Sequence, residues 1–185
     1  AGHGQLRGHR GQVPRRLPLF SGRTLDDIVD YLTYVFVPAV IIDRAQLLPD
    51  GLTLPIVAGV LLSSGYGFAN ADAKTDDHFF TGFPSYWNIV ALYLLASHLP
   101  RTANAVILMA CTAMVFVRTR WIYPTRTERY QALTLVGAAV WTVQVIALVL
   151  TLPSPPQWLL LSSLAYPLYY VALSLRLDQQ ARQSQ

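Results

Sequence analysis

The sequence predicts an all-α fold, a polytopic membrane helix bundle of about six transmembrane helices, and three observations predict it. Hydrophobic residues make up 53 % of the chain and charged residues 13 %, with a mean hydropathy of +0.36; soluble domains carry roughly twice that charge. Apolar runs long enough to cross or nearly cross a bilayer recur along the whole length. The basic residues segregate. Six crossings put Arg7, Arg10, Arg15, Arg16, Arg23, Lys74, Arg118, Arg120, Arg126, Arg129, Arg176 and Arg182 on one side, and only Arg44 and Arg101 on the other, out of 14 in all. That bias predicts cytoplasmic termini. The net charge of +4 then reflects anchors suited to anionic head groups and is no sign of nucleic acid binding.

In chain order, residues 1–23 form a Gly-, Arg- and His-rich tail expected to be disordered. His3 and His9, separated by flexible Gly-containing chain, make a poor metal site. No removable signal peptide is visible, because the first apolar run starts late and is too long. Helices are predicted at 25–43, 52–71, 84–99, 102–119, 130–152 and 157–176. The third and fourth leave only His98 to Arg101 for a turn. Pro38, Pro55 and Pro167 fall inside helices, which membrane bundles tolerate better than soluble ones. Gly65 and Gly67, around Tyr66, permit close helix packing. Cys111, the only cysteine, sits in an apolar helix and offers neither a disulfide nor a thiolate metal site. The domain description is a single bundle over 24–177 with a polar tail at 178–185.

The residues that carry chemistry open the first helix. Gly22-Arg-Thr-Leu-Asp26-Asp27-Ile-Val-Asp30 brings three carboxylates into an apolar run, and Asp30 is the only charge between Ile28 and Ile42. Ionisable groups at membrane depth are costly and usually functional. Asp26 and Asp30, four apart, share a helix face roughly 6 Å from each other. Such a pair suits a hard divalent cation, Mg²⁺ or Mn²⁺. A structural alternative is that Thr24 and Asp27 form a capping box and that Asp26 and Asp27 answer the helix-end field. That alternative leaves Asp30 unexplained.

Gly22-x-x-x-Asp26-x-x-x-Asp30 resembles the second half of the signature D-x-x-D-G-x-x-A-R…G-x-x-x-D-x-x-x-D of the CDP-alcohol phosphatidyltransferases. The segments LPLFSGRTLDDIVDYLTYVFVP and YGFANADAKTDDHFFTGFPSYWN are similar to the bacterial phosphatidylcholine synthases, the branch that uses choline directly. The likeness covers the chain from Val13 to about Arg176. It implies a bacterial inner-membrane, multi-pass transferase that converts CDP-diacylglycerol and choline to phosphatidylcholine and CMP. It also implies Mg²⁺ or Mn²⁺ as cofactor, Asp26 and Asp30 as metal ligands, and Asp30 as the base for the choline hydroxyl. Gly22 would let the nucleotide approach the backbone. Arg23, beside the acidic motif, is the basic residue best placed to contact phosphate. No Asp or Glu precedes Asp26, so the first half of the signature is missing. The chain is therefore expected to be an N-terminally truncated remnant of an eight-helix enzyme, inactive or nearly so by itself.

A second cluster, Asp72-Ala-Lys74-Thr-Asp76-Asp77-His78 followed by Phe79 and Phe80, falls on the same predicted side. It reads either as a polar loop beside an aromatic belt that includes Tyr86 and Trp87, or as a choline site. In the second case Asp76 and Asp77 would act with Tyr31, Tyr34, Phe79 or Phe80, since quaternary ammonium groups bind aromatic faces. Arg118, Arg120, Arg126 and Arg129 read as topology anchors or as captors of a lipid pyrophosphate. Partners are thus CDP-diacylglycerol, choline and membrane lipids, with no nucleic acid and a homodimer left open. Three alternatives compete: a transferase for another alcohol, a cation transporter and a non-catalytic membrane bundle. Against transport, the carboxylates gather at one surface rather than at mid-depth.

Overall fold

The computed structural model describes residues 21–69, 79–81, 83–117, 120–122 and 131–183. Among them the chain forms six helical rods, as the apolar runs predict. The first rod is α1 (Gly22–Tyr31), a π turn (Leu32–Phe36) and α2 (Val37–Arg44) in unbroken succession. Next come α3 (Thr53–Ala69), α4 (Trp87–Ser97), α5 (Arg101–Met114) and α6 (Gln131–Leu150). The last rod is α7 (Gln157–Ser163) followed by α8 (Ala165–Gln183).

Three boundaries depart from expectation, each for a local reason. The first helix opens at Gly22, because Ser21 accepts a hydrogen bond from the Thr24 amide at 3.3 Å and caps it. Thr24 and Asp27 therefore do not form the cap. The π turn falls where Pro38, lacking an N–H, would otherwise crowd the Tyr34 carbonyl; Val37 N–H reaches back to Leu32 O instead. The predicted helix 157–176 breaks at Leu164, just ahead of Pro167, and its second part continues to Gln183.

The all-α expectation also misses a small ribbon. Strands β1 (Phe79–Thr81) and β2 (Arg120–Ile122) pair antiparallel, with Phe79 opposite Ile122, Phe80 opposite Trp121 and Thr81 opposite Arg120. The ribbon joins two of the connections that charge parity places on one side. It also packs against α8, and Phe83 N–H donates to Met114 O at 3.1 Å at the end of α5.

The core lies among α2 to α5, where Val35, Ile42, Val60, Trp87, Leu94 and Leu108 are buried together. Trp87 is fully enclosed and donates from Nε1 to Ser64 Oγ at 2.7 Å, so its one polar atom is satisfied. A Cβ on Gly67 would sit 3.6 Å from Val115 and one on Gly65 4.0 Å from Tyr31, ordinary van der Waals separations, so neither position needs a glycine for its helix contact.

The second half is built differently. By length and composition, Gln131–Leu150 and Gln157–Arg176 can each cross a membrane, and only 11 % and 22 % of them is buried within the protein. On α6, Leu133, Val136, Val140, Val143, Ile146 and Val149 are more than half exposed, an arrangement suited to an apolar solvent. Its inner face stacks Trp141 on Tyr166, with centroids 5.5 Å apart. There Gly137 is tightly held, since a Cβ would come within 3.0 Å of the Tyr166 ring. Gly137→Val is expected to lower stability by about 1–3 kcal/mol through overpacking, read as a lower melting temperature in detergent. An unchanged melting temperature would contradict that packing.

Candidate functional site

The acidic motif occupies α1, the helix least embedded in the protein: none of its residues is buried. Tyr31 fixes it to α3. The Tyr31 hydroxyl donates to Leu61 O at 2.8 Å, and its ring meets Phe68 edge-on at 5.7 Å. Tyr31 closes α1, so this contact sets the C-terminal end of α1 beside the C-terminal half of α3, and α1 lies toward the end of the bundle at which α3 finishes. The C-terminal end of α5 lies there as well, through Gly67 against Val115 and Phe83 against Met114. Carboxylates and ribbon therefore gather at one end of the bundle.

With Ser21 as cap, Asp26 and Asp27 fall in the second turn of α1 and not the first. The helix-end field fades within the first turn, so neither capping nor that field accounts for them. This corrects the structural alternative drawn from the sequence and leaves the three carboxylates without a helix-terminus role. Among the described residues no ion pair involves Asp26, Asp27 or Asp30.

Their exposures differ. Asp26 is exposed, whereas Asp27 and Asp30 are half-buried. Residues three apart share a helix face as well as residues four apart do, so Asp27 and Asp30 form the inward-leaning pair and Asp26 stands on their solvent side. Gly22 has open space about it, with nothing within 4 Å of where a Cβ would lie, and Arg23 is exposed. Both can be approached by a ligand from outside.

The donor set is hard oxygen only, which fits Mg²⁺ or Mn²⁺. Its count is small. Among the described residues no group of three or more His, Cys, Asp or Glu side chains converges on one metal position.

Of the proposed choline residues, Asp76 and Asp77 lie outside the described residues, as do Lys74, His78 and Arg126. Phe79 contributes backbone to β1. Tyr31 is placed beside Asp30 in sequence, with its hydroxyl engaged by Leu61. Tyr34 lies on the outer face, 40 % exposed. An apolar groove of about 460 Å³ between α2 and α3, lined by Phe36, Val40, Leu54 and Val57 among others, runs toward Asp43 and away from the motif.

Sequence reasoning missed two features near the site. The ribbon left no periodicity, since three-residue strands are too short to show any. The π turn did leave a signal, Pro38 eight residues after Asp30 inside an apolar run.

The chain is similar over most of its length to three proteins called phosphatidylcholine synthase. That of Legionella bozemanae is 34 % identical over 169 residues, covering 88 % of this chain and 78 % of the relative. That of Pseudomonas aeruginosa is 34 % identical over 164 residues, covering 89 % and 69 %. That of Rhizobium meliloti is 30 % identical over 168 residues, covering 90 % and 69 %. No family model matches the chain, and no solved structure matches it.

Proposed function

The chain belongs to the phosphatidylcholine synthase family, and from that premise we propose that it serves the transfer of a phosphatidyl group from CDP-diacylglycerol to choline at the inner leaflet of a bacterial membrane. The observation that carries this reading is the position of Asp26, Asp27 and Asp30 in α1. They sit past the helix-end field, without a cationic partner among the described residues, at the end of the bundle where the ribbon joins two connections.

In this reading Asp30 takes the proton from the choline hydroxyl as its oxygen bonds to the phosphatidyl phosphorus. The bond from that phosphorus to the bridging oxygen breaks, and CMP departs with the electron pair. Asp26, and Asp30 by its second oxygen, would hold Mg²⁺ or Mn²⁺, which supplies neutralisation of the diphosphate charge when bound. Arg23 binds a phosphate oxygen as a fork donor. Gly22 admits the nucleotide close to the backbone. Tyr31 holds α1 against α3, so that Asp30 is presented in one orientation. Asp76, Asp77 and Phe79, on the segment that follows α3 in sequence, supply charge and an aromatic face for the quaternary ammonium group.

The test is binding of labelled CDP-diacylglycerol to the purified chain in mixed micelles, with Mn²⁺ or with EDTA. Binding is expected to require Mn²⁺ and to weaken roughly tenfold or more in Asp26→Asn, because divalent affinity follows the number of charged ligands. Equal binding in EDTA would overturn the reading.

A further inference from the structure

We propose that the π turn at Leu32–Phe36 is a positioning device that rotates Asp27 and Asp30 toward α3, with Pro38 as the residue that sets it. This rests on the reading of Asp30 as proton acceptor and adds what aims it.

Burial shifts phase along one continuous rod. The inward residues are Val35 within the turn and Pro38, Ala39 and Ile42 after it, all buried. Extending that face backward at 3.6 residues per turn reaches the positions around Tyr31 and Ile28, with Leu32 nearer the centre of the stripe than Asp30. The observed pattern differs. Ile28 is 52 % exposed and Leu32 46 % exposed, while Asp27, Asp30 and Tyr31 are the half-buried residues. One extra residue in the turn, rotating everything upstream by about 100°, accounts for the change. Without it two apolar side chains would face the protein and Asp30 would face lipid, an outcome with a large electrostatic cost.

Pro38 and Thr33 together make the turn. Pro38 cannot donate to Tyr34 O and its ring would crowd that carbonyl in an α-helix, so the preceding chain widens. Thr33 Oγ1 donates to Val29 O at 2.8 Å and lies 3.3 Å from Asp30 O, which supplies a donor to carbonyls at the entry to the turn. Thr33 is itself exposed, so it can be removed without opening a cavity.

Nitroxide labels introduced singly through Asp27→Cys, Ile28→Cys, Asp30→Cys and Leu32→Cys, in a Cys111→Ala background and reconstituted bilayers, test this through oxygen collision rates. The labels at 28 and 32 are expected to be accessible from lipid, and those at 27 and 30 protected. Pro38→Ala, which returns an N–H and lets the rod close as an α-helix with the residue count unchanged, should invert that order, protecting 28 and exposing 30. Deleting Thr33 in that background removes the extra residue and should restore the original order. Where Pro38→Ala prevents folding, Pro38→Val, closer in size, makes the same change. Greater protection at 28 and 32 in the unaltered chain overturns the proposal, and so does an order that the Pro38 substitution leaves unchanged. The Mn²⁺-dependence of CDP-diacylglycerol binding is read separately. Its absence beside the expected label pattern would sink the catalytic reading and leave the rotation standing.

Discussion

Membranes carrying these 185 residues alone are expected to incorporate labelled choline at or near background. Product should rise when a helix bearing Asp-x-x-Asp-Gly-x-x-Ala-Arg is supplied in the same membrane. The reason is ligand count. A hard divalent ion takes about six oxygens, and even with retained waters it needs more than one helix to orient it against a diphosphate. Here α1 offers one exposed and two half-buried carboxylates, and among the described residues no three His, Cys, Asp or Glu side chains converge on one metal position. Electrostatic stabilisation and in-line positioning dominate phosphoryl transfer, so a site with fewer carboxylate ligands is expected to lose most of what accelerates it.

In the complemented system Asp30→Asn is expected to reduce choline incorporation by about 10²–10⁴-fold, the usual contribution of a positioned general base. Asp26→Asn should instead raise the Mn²⁺ concentration needed. Removal of the metal with EDTA should abolish product and its return should restore it. Robust CDP-diacylglycerol-dependent product from the uncomplemented chain would show that α1 recruits all it needs. An Asp30→Asn variant with unchanged rate would remove that residue from the chemistry.

How much of this was legible beforehand follows from the length scale of each feature. Six long apolar runs gave six rods, because a helix in an apolar solvent has to satisfy its own backbone and hydrophobicity alone announces it. Charge parity on the connections anticipated the ribbon's location, since 72–83 and 119–130 fall on the same predicted side and β1 pairs with β2. The pairing itself was invisible. Which carboxylates lean inward was also invisible. Spacing by four joins Asp26 to Asp30 on paper, and only the cap at Ser21 and the extra residue before Pro38 turn Asp27 toward α3 with Asp30 and leave Asp26 outside. Single hydrogen bonds decide those angles, and a hydropathy pattern does not record them.

The same class of single bond makes a stability prediction at Tyr93. Pro167 has no N–H, so Ser163 O, four residues earlier, has no helical donor. Tyr93, from α4, fills the gap by donating its hydroxyl to Ser163 O at 3.0 Å, with Ser163 Oγ equally near. The Tyr93 oxygen in turn accepts from Trp141 Nε1 at 3.1 Å, so one hydroxyl ties α4, α6 and α7 together. Tyr93→Phe keeps the ring and removes that hydroxyl, stranding a carbonyl and an indole N–H in apolar surroundings. The expected cost is about 1–3 kcal/mol, held below the sum of two lost bonds because chains unfolded in a membrane also find partners. Pro167→Ala returns an N–H to the helix and gives Ser163 O its own donor. The cost of Tyr93→Phe should therefore shrink in the Pro167→Ala background, a coupling that a double-mutant cycle in detergent measures directly. Strictly additive effects would mean that Tyr93 does not stand in for the bond that Pro167 removes.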